Sequence, residues 1–359
     1  MPLRRRAAVA AAAVLGPLAL AYRFALVYRA RAGMPRRREP RYTPADFGLP
    51  FEEVTVPSGA ATLPAWFIPA RNGARGPAVV LVHGWESARD RALPNVQFLN
   101  AAGYHCLVFD VRGHGANPPE ALPISAGEFG ADAGAALDAA LRRPEVTRAA
   151  LFGHSMGAVG AILAAAADPR CAALVATAAP VDPQQLTRLS FRLAGLPFPD
   201  PLAHPLAWLT TRVYLSPRGH QVDDVSARIA IARYDGPLLL LHGSADTVVP
   251  VTHLTRLATA AGNARRRRGN APVEVLVIPN GNHSWLYEDP RYRRAVARFL
   301  SESLVGPLLP DDAADLAAAV DARRLPDSEP FFAAVTDAPG HLRTLGELSG
   351  AFRPAQPGD

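Results

Sequence analysis

The 359-residue chain contains no lysine; all 38 of its basic residues are arginine. Beside 28 glycines, 35 prolines and abundant alanine, this reads as a compositional habit, and the net charge of +6 does not by itself name a partner. A nucleic-acid binder gathers its cations into a stripe with stacking aromatics nearby. No such stripe occurs, so no nucleic-acid partner is expected. The arginines gather at the N-terminus and at 265–268, a run read as a solvated loop in preference to an anion site. Cysteine is equally scarce. Cys106 and Cys171 both lie in apolar runs, which is the setting of small buried hydrophobes and provides neither a disulfide framework nor a zinc site. There is no internal repeat. With 49% hydrophobic and 19% charged residues, the chain has ample material for a buried core.

One long apolar stretch is present. Arg4, Arg5 and Arg6 precede an uncharged segment at 7–22, and Arg23 separates it from Phe24-Ala25-Leu26-Val27-Tyr28. As a helix through Tyr28 it would span roughly 30 Å, about a hydrocarbon thickness. The favoured expectation is a single membrane-associated segment that contacts lipid. A secretory signal cleaved at Ala19-Leu20-Ala21 is the alternative, and an alanine-rich amphipathic or unstructured tail is a third. Arginines after the segment outnumber those before it, which opposes export. The triplet in front pulls the other way, so the membrane side stays open.

Three regions follow: 1–40 as membrane or signal segment and basic linker, 41–304 as the main domain, and 305–359 as a partly disordered extension. Within the main domain, strands are expected at 52–56, 63–68, 78–82, 105–109, 149–152, 173–176, 238–241 and 273–278. The third is a continuous β-branched run, as a strand buried on both faces requires. Helical patterns lie between them at 89–102, 127–143 and 155–167, then at 289–304, with a further one at 311–324. Such alternation implies an α/β fold, a mainly parallel sheet covered on both faces, with reacting groups beyond the carboxyl ends of the strands. Residues 180–236 break the pattern. They are rich in Pro, Leu and aromatics and read as a small helical cap.

Gly153-His154-Ser155-Met156-Gly157 is a G-x-S-x-G sequence between a predicted strand and a predicted helix. The turn must be tight enough to lift Ser155 Oγ into the open at a helix N-terminus. A serine hydroxyl needs a base, and His283 follows the last strand in a turn-rich loop. Asp246 follows the strand at 238–241 and can orient the imidazole. Ser155, Asp246 and His283 stand in the chain order expected for this kind of site. His154 is assigned to shaping the turn, His242 to packing at a strand end, and His253 to an exposed helical position. Asp223, Asp224 and Asp235 are rival acids in or beside the insertion. An oxyanion hole needs two donors: the N–H of Met156 and that of Trp85, in His83-Gly84-Trp85 after the third strand.

These segments, with Asp110-Val111-Arg112-Gly113-His114-Gly115 and Gly281-Asn282-His283, resemble the successive signatures of the α/β-hydrolase superfamily. Within it the pattern is similar to the serine-aminopeptidase-like and monoacylglycerol-lipase-like esterases. The resemblance covers about residues 50–304. It implies an eight-stranded, mostly parallel sheet whose second strand is antiparallel, helices on both faces, and a small helical cap. It implies no cofactor and no metal, and it makes the 110–115 loop structural. The expected activity is hydrolysis of a carboxylic ester, of a hydrophobic acyl group lodged against the cap. An amide hydrolase with the same triad and a non-catalytic scaffold are the alternatives.

Overall fold

The β-branched and leucine runs become one eight-stranded sheet in the computed structural model, which describes residues 3–71, 73–196, 198–322 and 325. The strands are β1 (Glu52–Ser58), β2 (Ala61–Ile68), β3 (Gly76–Val82), β4 (His105–Phe109), β5 (Val146–His154), β6 (Cys171–Thr177), β7 (Leu238–Gly243) and β8 (Glu274–Ile278). Their spatial order is β1-β2-β4-β3-β5-β6-β7-β8. β2 runs antiparallel to both neighbours, and every pairing from β4 to β8 is parallel. This is the sheet that the motifs imply.

Burial explains why the central strands carry no alternation. All residues of β4 and β7 are buried, so both faces demand apolar side chains. At the edge, β8 exposes Val275 and Val277. One face of the sheet packs against α3 (Ala126–Leu141), α4 (Met156–Ala167), α7 (Ala227–Ile231) and α8 (Thr252–Arg268). The other packs against α2 (Leu93–Ala101), α9 (Pro290–Leu304) and α10 (Pro310–Ala319). α3 starts at a capping box in which the Ser125 N–H donates to Glu128 Oε2 at 2.7 Å. It lies so close to α4 that a Cβ on Gly160 would sit 2.7 Å from Phe129 backbone.

Two sequence expectations need correction. The 265–268 run is no loop: it forms the last turn of α8, and Gly269 closes the helix in the left-handed conformation. Arg265 is buried there. It donates to the carbonyl of Ala271 at 3.1 Å and to that of Gly236. Arg268 pairs with Asp235 at 2.8 Å, so two of these guanidiniums cap carbonyls and a carboxylate. The last helix is also shorter than 311–324. It ends at Ala319, and Arg293 of α9 donates to the carbonyls of Ala317 and Ala318 in its last turn. The last ten residues lie outside the described region.

Between β6 and β7 come α5 (Pro183–Leu193), α6 (Asp200–Leu215) and α7, with no strand among the described residues. Phe191, Phe198 and Tyr214 of this excursion turn toward the N-terminus. α1 (Leu3–Ala32) lies along α6, and Phe24 meets Phe191 and Phe198 edge-on at 5.6 and 5.7 Å. Tyr28 Oη and Ser190 Oγ share a 2.5 Å hydrogen bond, and Arg29 donates to the Val213 carbonyl. The expectation of a membrane-crossing segment is thereby corrected. Among the described residues no helix is long and apolar enough to cross a membrane. In α1, arginines interrupt the apolar stretch, and its aromatic face is taken by α5 and α6.

If α1 is docked in this way, Phe24→Ala removes the central ring of that cluster. Stability should fall by about 1–3 kcal/mol. Equilibrium denaturation of both proteins checks this; an unchanged midpoint would show that α1 contributes nothing by packing there.

Candidate active site

β5 ends at His154 and α4 begins at Met156, so the turn between them consists of Ser155 alone. Ser155 adopts φ 55° and ψ −121°, a conformation that costs a non-glycine residue about 1–3 kcal/mol. It is held there by its own N–H, which donates to the Thr177 carbonyl at 2.9 Å. The flanking glycines leave no choice. A Cβ on Gly153 would lie 2.3 Å from the Gly157 carbonyl oxygen, and one on Gly157 would lie 2.2 Å from that of Val82.

His283 reaches the serine from the loop after β8, with Nε2 at 3.0 Å from Ser155 Oγ. Its Nδ1 lies 2.8 Å from Asp246 Oδ2. The carboxylate accepts at Nδ1–H, so Nε2 is the free acceptor for the serine proton. The two loops meet because Ser244 N–H donates to the Ile278 carbonyl and Ala245 N–H to that of Gly281. Gly243 makes this possible, since a Cβ there would lie 2.1 Å from the Gly281 oxygen. Ser155, Asp246 and His283 are thus brought together as expected. Two of the three rivals are occupied elsewhere: Asp224 accepts the Gln221 N–H, and Asp235 pairs with Arg268.

Asp246 is buried, which opposes its ionisation. Hydrogen bonds from His242, His283 and the Val249 N–H outweigh burial and hold its carboxyl well below the usual carboxylate range. Its Oδ1 accepts two backbone N–H groups, from Val248 at 2.9 Å and Val249 at 2.7 Å. His242 does more than pack at a strand end. Its Nε2 lies 2.7 Å from the Val249 carbonyl and 3.2 Å from Asp246 Oδ2. His253, expected to be exposed, is buried, and its Nδ1 accepts the Val181 N–H at 3.1 Å. His154 braces the His283 loop. Its Nε2 lies 2.8 Å from the His283 carbonyl oxygen.

The His83-Gly84-Trp85 loop passes against Ser155, where a Cβ on Gly84 would sit 3.3 Å from Ser155 Cβ. His83 fixes this loop. Its Nδ1–H donates to the Gly84 carbonyl at 2.8 Å, and its Nε2 accepts the Val111 N–H at 3.0 Å. Met156 heads α4, so its N–H has no partner within the helix. In the 110–115 loop, Asp110 pairs with Arg89 at 2.9 Å, and Arg112 with Asp132 and Ser58. Gly115 folds over the Asp110 carboxylate at φ 55°.

A cavity of about 170 Å³ opens beside Ser155 and His283. Leu81, Phe152, Trp85 and Trp285 line it, and so do Arg38 and Arg91. No residue of 180–236 lines it, and Phe191, Phe198 and Tyr214 of that excursion face α1 instead. Arg38 and Arg91 escape a reading of motifs. Arg38 arrives from a stretch with no periodicity, and Arg91 sits inside a predicted helix. Among the described residues no group of His, Cys, Asp and Glu could hold a metal.

The strand order and the helices on both faces are those of the α/β-hydrolase fold. Residues 74–227 match the model of the S33 serine aminopeptidase family. The Mycobacterium tuberculosis protein Rv2307c is 28% identical over 270 residues, spanning 70% of this chain and 84% of that one. Human protein ABHD12B is 28% identical over 236 residues, 63% of this chain and 61% of that one. Among solved structures, the Pyrococcus furiosus esterase Pf2001 superposes with a TM-score of 0.59 at 23% identity, covering 75% of this chain and 99% of that one. Est1E of Butyrivibrio proteoclasticus, bound to ferulic acid, gives 0.55 at 20% identity, over 70% and 99% of the two chains.

Burial lowers the pKa of His83, His154 and His253 to about 4 and that of His114 to about 3. The unfolded chain therefore binds protons first as pH falls. Stability should be full above about pH 6.5 and decline steadily toward pH 4. Thermal unfolding across that range tests this, and a midpoint flat from pH 7 to pH 4 would contradict neutral burial of these rings.

Proposed function

We propose that the protein is a serine hydrolase that cleaves carboxylic esters of short acyl chains by acyl transfer. The observation that carries this reading is the continuous line from Ser155 Oγ to His283 Nε2 at 3.0 Å and from His283 Nδ1 to Asp246 Oδ2 at 2.8 Å. His283 takes the Ser155 proton as Oγ attacks the acyl carbon. The N–H groups of Met156 and Trp85 receive the developing oxyanion, a role supported by the approach of the Gly84 loop to the nucleophile. His283 returns the proton to the departing alcohol. Water then repeats the sequence on the acyl-enzyme and releases the acid.

The cavity favours a small acyl group. Its volume of about 170 Å³ is below the range of drug-sized ligand pockets, roughly 300–1,000 Å³. The excursion at 180–236, proposed as a cap of the 41–304 domain, does not enlarge it. The similarity to the Pyrococcus furiosus esterase Pf2001 supports the ester class. The S33 family description and the Pyrococcus horikoshii acylaminoacyl peptidase, with a TM-score of 0.54 at 17% identity, make matched anilides the necessary control.

A p-nitrophenyl ester series should show its optimum at about six acyl carbons or fewer. Ser155→Ala should reduce kcat by a factor on the order of 10⁴ or more, and Asp246→Asn by roughly 10⁴. Fluorophosphonate should label the wild type and spare Ser155→Ala. Cleavage of anilides with no ester turnover would move the reading to amides. A folded wild type that neither labels nor turns over would end the enzyme reading.

A further inference from the structure

The cavity beside Ser155 lies between the strand ends and the helices α2 and α9. Leu81 of β3 and Phe152 of β5 make its sheet side apolar. A neutral polar group interrupts that lining. Thr177 ends β6, Tyr292 lies in the first turn of α9, and Asn95 lies in α2. All three line the cavity, and their polar ends meet. Thr177 Oγ1 is 3.4 Å from Tyr292 Oη, and Tyr292 donates to Asn95 Oδ1, also at 3.4 Å. Strand alternation sets the direction. Val175 belongs to the core on the α2 and α9 side, and Thr177, two residues on, follows it to that face.

Valine and phenylalanine would fill the Thr177 and Tyr292 positions with the same shape and no polar atom. Both side chains are instead hydroxylated and buried, which costs stability unless the hydroxyls are bonded. Their mutual contacts are long beside the roughly 2.7–2.8 Å typical of O–H···O bonds. Each hydroxyl oxygen carries a lone pair beyond those contacts, and the Asn95 amide brings two N–H donors. Burial pushes the Tyr292 hydroxyl pKa up, so the group keeps its proton and can donate. The cluster therefore offers donors and acceptors without charge, which suits a hydroxyl, itself both donor and acceptor. Thr177 also stands next to Ser155, whose N–H donates to the Thr177 carbonyl at 2.9 Å. An oxygen bound at the cluster would lie close to an ester carbonyl at Ser155.

We infer that Thr177, Tyr292 and Asn95 form a hydroxyl-recognising subsite, and that the protein prefers esters whose small acyl group carries a hydroxyl near the carbonyl over esters of plain hydrocarbon acids. The ester part of this statement rests on the proposed role of Ser155 and of the cavity as the acyl site; the subsite does not. A hydrocarbon acyl group would cover these polar atoms and give them no bond, and sites built to bond a hydroxyl reject analogues on that ground.

The test compares p-nitrophenyl 3-hydroxybutanoate with p-nitrophenyl 3-methylbutanoate, in which a methyl of similar size replaces the hydroxyl. The 2-hydroxy and 2-methyl pair is treated likewise, each enantiomer separately, and every ratio is divided by that for spontaneous hydrolysis. In at least one pair the hydroxy-to-methyl ratio of kcat/KM should exceed about ten. Tyr292→Phe and Thr177→Val keep the shape and remove a hydroxyl, and each should lower that ratio about tenfold. A general loss of activity cancels in the ratio, so a merely structural effect leaves it unmoved. Ester turnover with no ratio above one, or with ratios that both variants leave unchanged, overturns the subsite and leaves the esterase reading standing. In the Ser155→Ala protein, ligand-observed NMR reads binding of the methyl esters of the same acids without turnover. A hydroxy ester should bind more tightly than its methyl counterpart, and Tyr292→Phe in that background should abolish the difference. Equal binding of both members of every pair overturns the subsite. A Tyr292-dependent hydroxyl preference in binding, with neither turnover nor fluorophosphonate labelling of the Ser155-containing protein, upholds the subsite and removes the esterase reading.

Discussion

Ser155, at the end of a parallel strand, leaves the sheet and enters a helix within one residue, and everything around it serves that reversal. The turn is tight because the backbone of β5, α4 and the β3 loop converge to separations that admit no side chain at Gly153 or Gly157. Strain at Ser155 is sustained by the sheet itself, through the bond from its N–H to Thr177 on β6. The same principle is repeated at Asp246. Gly243 lets the β7 loop touch the β8 loop, and only then can Asp246 meet His283. Placement of three side chains thus depends on three missing ones.

Once the backbone is fixed, electrostatics does the remaining positioning. Asp246 is buried yet ionised because four donors converge on it, two side chains and two backbone N–H groups. A carboxylate so held cannot wander, and neither can the imidazole it orients. Asp110 is held in a comparable way by Arg89, through its backbone N–H at 2.7 Å and its guanidinium at 2.9 Å. Removing one member of such a buried pair is more damaging than its modest net contribution suggests, since the other is left uncompensated.

The sheet was legible because strands buried on both faces write themselves as unbroken apolar runs, as at Val79-Val80-Leu81-Val82. The three residues of the candidate site were legible because each follows its own strand in a glycine-bearing loop. Interactions between segments without periodicity left no such trace. Nothing in 265–268 distinguishes a buried Arg265 from a solvated one, since the Gly236 and Ala271 carbonyls that it satisfies lie in other loops. His242 and His253 carry the same lesson, their partners being set by tertiary placement. The apolar segment running through Tyr28 suggested lipid because hydropathy counts residues and cannot see that Phe24 and Tyr28 have protein partners.

Gly33 has a mechanical meaning. It ends α1 at a pinch point: its carbonyl accepts the Ile124 N–H at 2.9 Å, and a Cβ on it would lie 2.6 Å from Pro123. From there to Arg38 is a leash of five residues, with a reach of at most about 18 Å. The clamp divides the N-terminal region into two parts under separate tension. α1 can peel from α6 without slack reaching the rim of the cavity, as long as Gly33 stays seated. The natural cut between a removable helix and a working site therefore falls at Gly33, well before the first strand, and a chain trimmed closer to β1 would lose the girdle that carries Arg38.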